Sequence, residues 1–296
     1  MLLMKKTPLW IASKGLLAER GADFFRCWER TASTFDPEDI HDLRVASRRL
    51  RESLALFESS YPEERIRYLR KRVGKVTALL GELRNLDVWL AFMGDEVSEL
   101  ADEDGEISAR LGRFEQERKE TRKKVERDLR KLNYTSLRKY FVRTVHAPFL
   151  FDPPPGVPDP FTPIEDYARS AVELRLAPIL NLVPVALFPD QADAQHQLRI
   201  AVKRFRYRLE ILSPLMDQAG YRELHGHVKE YQEILGRIHD LDVFAAMTEA
   251  TDLPESAKNA IGAHLAVKRS DFFARFRDKT GKIPFDAIGA AVRSIM

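Results

Sequence analysis

The sequence predicts an all-α protein made of two similar helical bundles related by an internal pseudo-twofold, and three observations carry that expectation. The first is a self-match. DIHDLRVASRRLRESLALF at Asp39–Phe57 aligns without a gap with AQHQLRIAVKRFRYRLEIL at Ala194–Leu212, an offset of 155 residues from His41 to His196. LLGELRNLDVW at Leu79–Trp89 meets ILGRIHDLDVF at Ile234–Phe244 at the same offset, Gly81 to Gly236. Two blocks in one register mark a duplicated unit, and two copies at so long a period point to a pseudo-twofold protein and not to a solenoid. The second observation is helical periodicity throughout both copies, with no credible run of alternating strand residues. The third is the proline distribution: seven fall between Ala147 and Pro163, where the periodicity stops.

In chain order, the periodicity predicts helices over 8–32, 37–58, 62–94, 97–132 and 135–146, then 163–184, 190–213, 219–248, 253–277 and 284–295. Thr7-Pro8, Asp36-Pro37 and Thr162-Pro163 each put a capping side chain before a proline suited to the first helical turn. The expected organisation is an N-terminal repeat at 1–146, a Pro-rich linker at 147–163 and a C-terminal repeat at 164–296.

Composition narrows the function classes. With 44% hydrophobic residues and 31% charged, the 296-residue chain has material for a sizeable core. No run reaches the roughly 18 apolar residues of a membrane span, and the longest candidate, Leu176 to Phe188, is interrupted by Pro178, Asn181 and Pro184. Lys5 and Lys6 precede only a short apolar patch, Leu9 to Ala12, so no signal peptide is expected. Cys27, the single cysteine, excludes an intramolecular disulfide and a Cys-based zinc site. The expected setting is the reducing cytoplasm. A net charge of +3 is too small to declare a polyanion binder, so the positions of the charges decide.

At about 100° per residue, Leu43, Ala46, Leu50, Leu54 and Phe57 share one face of the first repeated helix. His41, Arg44, Arg48 and Arg51 share the opposite side, with Arg49 flanking. The second copy puts Leu198, Ala201, Phe205, Leu209 and Leu212 on its apolar face. Its cationic stripe is His196, Arg199, Lys203 and Arg206, with Arg204 flanking. A solvated face needs no particular sign, whereas here His or cations recur at four matched positions. Cations three and four apart repel by a few tenths of a kcal/mol per pair. Repulsion incurred at the same places twice points to an anionic partner. The excess continues, with ten Lys and Arg against four Glu from Arg44 to Lys75. By contrast, Arg110, Arg113, Arg118, Lys119, Arg122, Lys123 and Lys124 interleave with Glu115, Glu117, Glu120 and Glu126, which predicts mutual pairing on a solvated face.

The second motif has another character. Gly74, Ala78 and Gly81 line one side of its helix near Asn85, with Lys71 and Lys75 at the margin, which predicts close backbone packing. Gly81 and Gly236 lie in no Gly-rich phosphate loop. Asp87, Asp240 and Asp242 are candidate metal ligands, but the favoured role is holding arginines of a neighbouring helix. His225, His227 and His264 lack a histidine at the matched position and are assigned no function.

HDLRVASRRLR, LGELRNLDV, HQLRIAVKRFRYRLE and LGRIHDLDV, in this order, resemble the CHAD family, the conserved histidine α-helical domain, over nearly the whole chain. The resemblance implies two helical bundles with a basic groove or pore between them that binds inorganic polyphosphate. The leading reading is therefore a non-enzymatic binding module recruited to polyphosphate granules, with no catalytic residues, metal or cofactor expected. The resemblance carries His41, Arg44, Arg48, Arg49, Arg51, His196, Arg199, Lys203, Arg204 and Arg206 over as polyphosphate contacts, together with Lys71, Lys75 and Lys229 outside the motif positions. Asn85 departs from the family's Arg-Asp-x-Asp pattern. With no Glu-x-Glu-x-Lys motif near its start, the chain resembles the stand-alone form, without an upstream triphosphatase-type CYTH domain.

The residues agree with that implication: a base-free polyanion calls for rows of forked donors without stacking platforms, and only Tyr207 adjoins a stripe. Two alternatives stay open. A metal-dependent phosphohydrolase is motivated by His41-Asp42, His239-Asp240, Asp87 and Asp242. Against it, Gln197 stands at the position matching Asp42 and Arg84 at that matching His239. A nucleic-acid or acidic-protein binder would use the same cationic surface.

Overall fold

The computed structural model describes residues 5–94, 106–147, 158–251 and 253–296, with side chains in the fourth helix from 112 onward. The expected helix start at 97 and most of the Pro-rich linker, 148–157, lie outside the described residues. The helices among them are α1 (Leu9–Thr34), α2 (Pro37–Leu56), α3 (Glu63–Phe92), α4 (Glu106–Lys131) and α5 (Tyr134–Val145), followed by α6 (Ile164–Ala186), α7 (Ala192–Leu212), α8 (Gln218–Glu249), α9 (Glu255–Lys282) and α10 (Phe285–Ile295). The fold is all-α. No helix among the described residues is long and apolar enough to cross a membrane.

The duplication is written into the element boundaries. Helices α1, α2 and α3 start at residues 9, 37 and 63, and α6, α7 and α8 start at 164, 192 and 218, 155 residues later in each case. A single 3-10 turn follows both stripe helices, Glu58–Ser60 after α2 and Ser213–Leu215 after α7, again at that offset.

The chain divides into two compact units, with the boundary between Tyr167 and Ala168 inside α6. In the first, α1 packs on α2 and α5, and α2 packs on α3. The apolar face of α2 forms its centre: Leu43, Leu50, Leu54 and Phe57 are fully buried and Ala46 nearly so. Each large side chain removed from water in this way contributes about 1.5–3 kcal/mol. In the second unit α8 is central, packed against α7, α9 and α10. Leu198, Phe205, Leu209 and Leu212 of α7 are fully buried, with Ala201 close behind.

One of the three proline-marked starts is capped by its side chain as expected. Asp36 accepts from Asp39 N–H at 2.9 Å, with Pro37 in the first turn of α2. At the starts of α1 and α6 the threonines Thr7 and Thr162 act through the backbone. Each carbonyl serves the other segment: Leu9 N–H donates to Thr162 O and Ile164 N–H to Thr7 O, both at 2.9 Å. The first free donors of α1 and α6 are thus satisfied reciprocally, across an antiparallel bridge between Pro8 and Pro163.

Candidate functional site

In the first unit, helix α2 has two of its acids, Asp39 and Asp42, tied to α1. Arg30 reaches Asp39 at 2.9 Å and Asp42 at 2.5 Å, so the carboxylate next to His41 is already engaged. The stripe turns instead toward α3. A Cβ placed at Gly81 would stand 2.8 Å from Arg44 Nη1, and one at Gly74 would stand 3.7 Å from the Arg51 guanidinium. What fills the small-residue side of α3 is therefore arginine, and the expected close approach of backbones is replaced by guanidinium seats. Midway between them, buried Ser47 Oγ and Thr77 Oγ1 meet at 2.8 Å and fix the register of α2 on α3. Arg51 is brought onto the turn that carries Lys71 and Lys75, both exposed, while Arg48 and Arg49 are half-buried. Burial, and then the Arg84 charge, lower the pKa of His41.

The second unit repeats the stripe with different neighbours. His196 Nδ1 and His239 Nδ1 lie 2.9 Å apart, with ring centroids separated by 4.3 Å. For neutral rings, one must carry its proton on Nδ1 and the other must leave Nδ1 bare. Burial first, then Arg199 and His196, push His239 down to about 4. Burial followed by Arg199 and Lys203 lowers His196 as well. Arg199 Nη2 is 3.8 Å from Asp240 Oδ1. Arg206, only 11% exposed, lies 3.3 Å from Glu210 Oε1 and over the Tyr207 ring at 5.4 Å. His225 Nε2 shares that carboxylate at 3.1 Å. Lys203 is half-buried and Arg204 exposed. Exposed Lys229 pairs with Glu233 at 3.5 Å. A Cβ at Gly236 would meet nothing within 4 Å, so no arginine seat forms there.

Two of the three candidate metal carboxylates, Asp87 and Asp242, hold an arginine of the next helix, and the third, Asp240, lies beside Arg199 of the preceding one. Asp87, buried, takes Arg118 Nε at 2.5 Å. Asp242 takes Arg269 Nε at 2.5 Å, and the same guanidinium reaches Gln195 Oε1 and Pro189 O. Among the described residues no three His, Cys, Asp or Glu side chains converge as a metal ion would need. In α4, the expected internal pairing is incomplete: Arg130 pairs with Glu126, but Arg118 and Lys124 reach Asp87 and Glu82 of α3.

Sequence reasoning missed two parts of this arrangement: Arg84 and His239 as neighbours of the stripe histidines, and Glu210 with His225 as the anchor of Arg206. The first was open to discovery, because residues 84 and 239 are matched positions exposed to the same offset argument. Each half offers a row of guanidinium and ammonium donors at about one per helical turn of 5.4 Å. Opening each row is a histidine held below its usual pKa. Such rows suit an extended, multiply charged oxyanion.

No curated protein sequence matches this chain. Solved structures share its fold, among them the following two. The CHAD domain from the plant Ricinus communis superposes with a TM-score of 0.67 at 22% identity, covering 100% of this chain and 95% of that one. PptA from Streptomyces chartreusis gives 0.64 at 16% identity, covering 97% of this chain and 100% of that one. The family model of the CHAD domain matches residues 15–249. On a match of that extent, carrying both copies of both motifs, the chain belongs to the CHAD domain family.

Proposed function

We propose that the protein is a non-enzymatic binding module for linear inorganic polyphosphate, contacted by Arg44, Arg48, Arg49, Arg51, Lys71 and Lys75 in the first unit and by Arg199, Lys203, Arg204 and Lys229 in the second. The observation that supports this best is the seating of Arg44 and Arg51 on glycines of α3, which holds a row of forked donors beside two exposed lysines. A preordered row loses less side-chain entropy when an anion arrives. Arg206 stands apart, since its ion pair with a buried carboxylate makes it a positioning element. Affinity for long chains would also recruit the protein to polyphosphate granules.

A hydrolytic role finds less support, because Asp42, Asp87 and Asp242 are each engaged by an arginine. The test is a competition titration of long-chain polyphosphate against duplex DNA at moderate salt, with phosphate release followed in Mg²⁺ and Mn²⁺. Polyphosphate should bind more tightly, without release. Arg48→Glu should weaken binding and flatten the dependence of log K on log salt by about one to two displaced counterions. Tighter DNA binding would put the nucleic-acid reading first, and metal-dependent phosphate release would put the hydrolase first.

A further inference from the structure

No aromatic residue lies within α2, yet folding brings a pair of rings onto the helix beside its cationic row. Tyr68 of α3 and Tyr140 of α5 meet with ring centroids 4.5 Å apart and planes inclined by 51°. Tyr68 is 42% exposed and Tyr140 half-buried, so the pair does more than fill the seam between two helices. Cations surround it. On α3, Arg65 and Lys71 stand three residues either side of Tyr68, with Lys75 a further turn on. On α5, Arg143 stands three residues beyond Tyr140, and that helix contains no Asp or Glu. All four cations are exposed, and among the described residues none of them has a carboxylate within ion-pair distance. Arg72 is left out of the set, because it donates to Leu132 O. Along α3 one acid, Glu64, lies within a turn of Tyr68. The second unit has Glu223 at the position matching Tyr68, so the ring pair is no by-product of the duplication.

We propose that this face of the first unit binds single-stranded nucleic acid, with unstacked bases laid on Tyr68 and Tyr140 and the sugar–phosphate backbone drawn along Arg65, Lys71, Lys75 and Arg143. An inorganic anion gains nothing from a ring, whereas every base has a π-face to stack on one. The cations beside the rings supply the counter-charge for the backbone. Duplex DNA keeps its bases paired inside the helix, so a preference for polyphosphate over duplex is compatible with this site. Lys71 and Lys75 belong to both surfaces, but the site does not rest on the polyphosphate reading, since the two rings, Arg65 and Arg143 lie outside that set.

The test is fluorescence anisotropy of a labelled oligo-dT of about 12 nucleotides, with the same sequence in duplex form and long-chain polyphosphate titrated alongside and helicity checked by circular dichroism. The single strand should bind more tightly than the duplex. Tyr68→Leu keeps an apolar contact for Tyr140 but removes the π-face; it should weaken oligo-dT binding roughly fivefold to a hundredfold and leave polyphosphate binding unchanged. Arg143→Gln should flatten the dependence of log K on log salt for oligo-dT by about 0.7. Tyr68→Trp should retain binding, and the fluorescence it adds should be quenched by oligo-dT, a readout independent of whether the leucine variant folds. A duplex bound as tightly as the single strand, an oligo-dT affinity untouched by Tyr68→Leu, or equal losses for oligo-dT and polyphosphate would each overturn the site, the last by showing the rings to be packing alone. Oligo-dT binding in the expected pattern by a protein that ignores polyphosphate would overturn the polyphosphate reading and leave this site supported; binding of polyphosphate alone would do the reverse.

Discussion

Acidification should destabilise this protein through His239 before its carboxylates begin to titrate. The folded state holds the ring at about 4, against an ordinary value of 6.5, because it is half-buried and faces Arg199, His196 and Lys203. Between those two values the unfolded chain binds a proton that the folded chain refuses. Stability is therefore complete above about pH 6.5, falls as the pH drops toward 4, and has no more to lose from this group below that. For a fully desolvated ring the gap would amount to about 3 kcal/mol at about 1.4 kcal/mol per pH unit. Because the ring is only partly buried, screening reduces this to roughly 1–2 kcal/mol. His239→Gln removes the titration while keeping a side chain able to bond His196. Urea unfolding of wild type and variant, followed by circular dichroism from about pH 7.5 to about pH 5, should show the variant's midpoint falling less steeply. Histidine ¹⁵N shifts give the pKa directly. A ring that titrates near its ordinary value, or stability profiles that stay parallel over that range, would refute the argument.

Two further expectations follow from packing. Gly81→Ala should push the Arg44 guanidinium off its seat and weaken polyphosphate binding by roughly twofold to fivefold, while Gly236→Ala, in open space, should leave binding unchanged. Both should hold or raise the unfolding temperature, because glycine inside a helix costs about 0.8–1 kcal/mol relative to alanine; equal binding losses would show that Gly81 is not a seat. Arg118→Met should leave the Asp87 carboxylate, 5% exposed, without its 2.5 Å partner and cost about 3 kcal/mol in urea unfolding. Asp87→Asn in that background should recover part of the loss, and a single-variant loss below about 0.5 kcal/mol would show the pair to be incidental.

Much of the fold was legible because its signals are local. The α2 and α7 faces follow from a 3.6-residue period, and all ten apolar positions assigned from it are buried. Read locally, the Thr-Pro starts are only caps, while the carbonyl of each Thr serves a segment about 155 residues away. Nothing local distinguishes a threonine whose hydroxyl caps its own helix from one whose carbonyl serves another. Residue 7 and residue 162 nevertheless stand at the repeat offset, so the same comparison that exposed the duplication also carried a hint of their pairing.

The site was legible in the same uneven way. Stripe residues four apart on one helix could be read directly, but the groups that set their behaviour come from other helices: Arg30 on Asp42, Arg44 on Gly81, His239 on His196. Residues 84 and 239 show why matching letters was not enough. They are arginine in one copy and histidine in the other, which on residue type alone reads as divergence. Yet each lies close enough to its stripe histidine to matter, and the outcome is common to both, a histidine pKa lowered by burial with neighbouring positive charge adding to it. The two halves therefore share an electrostatic result and not a residue. A histidine so placed is neutral at neutral pH and can offer an anion a hydrogen bond, but not a charge. Any gain in polyanion affinity from protonating these rings must then begin below the ordinary histidine range, and the arginines and lysines alone carry the attraction above it.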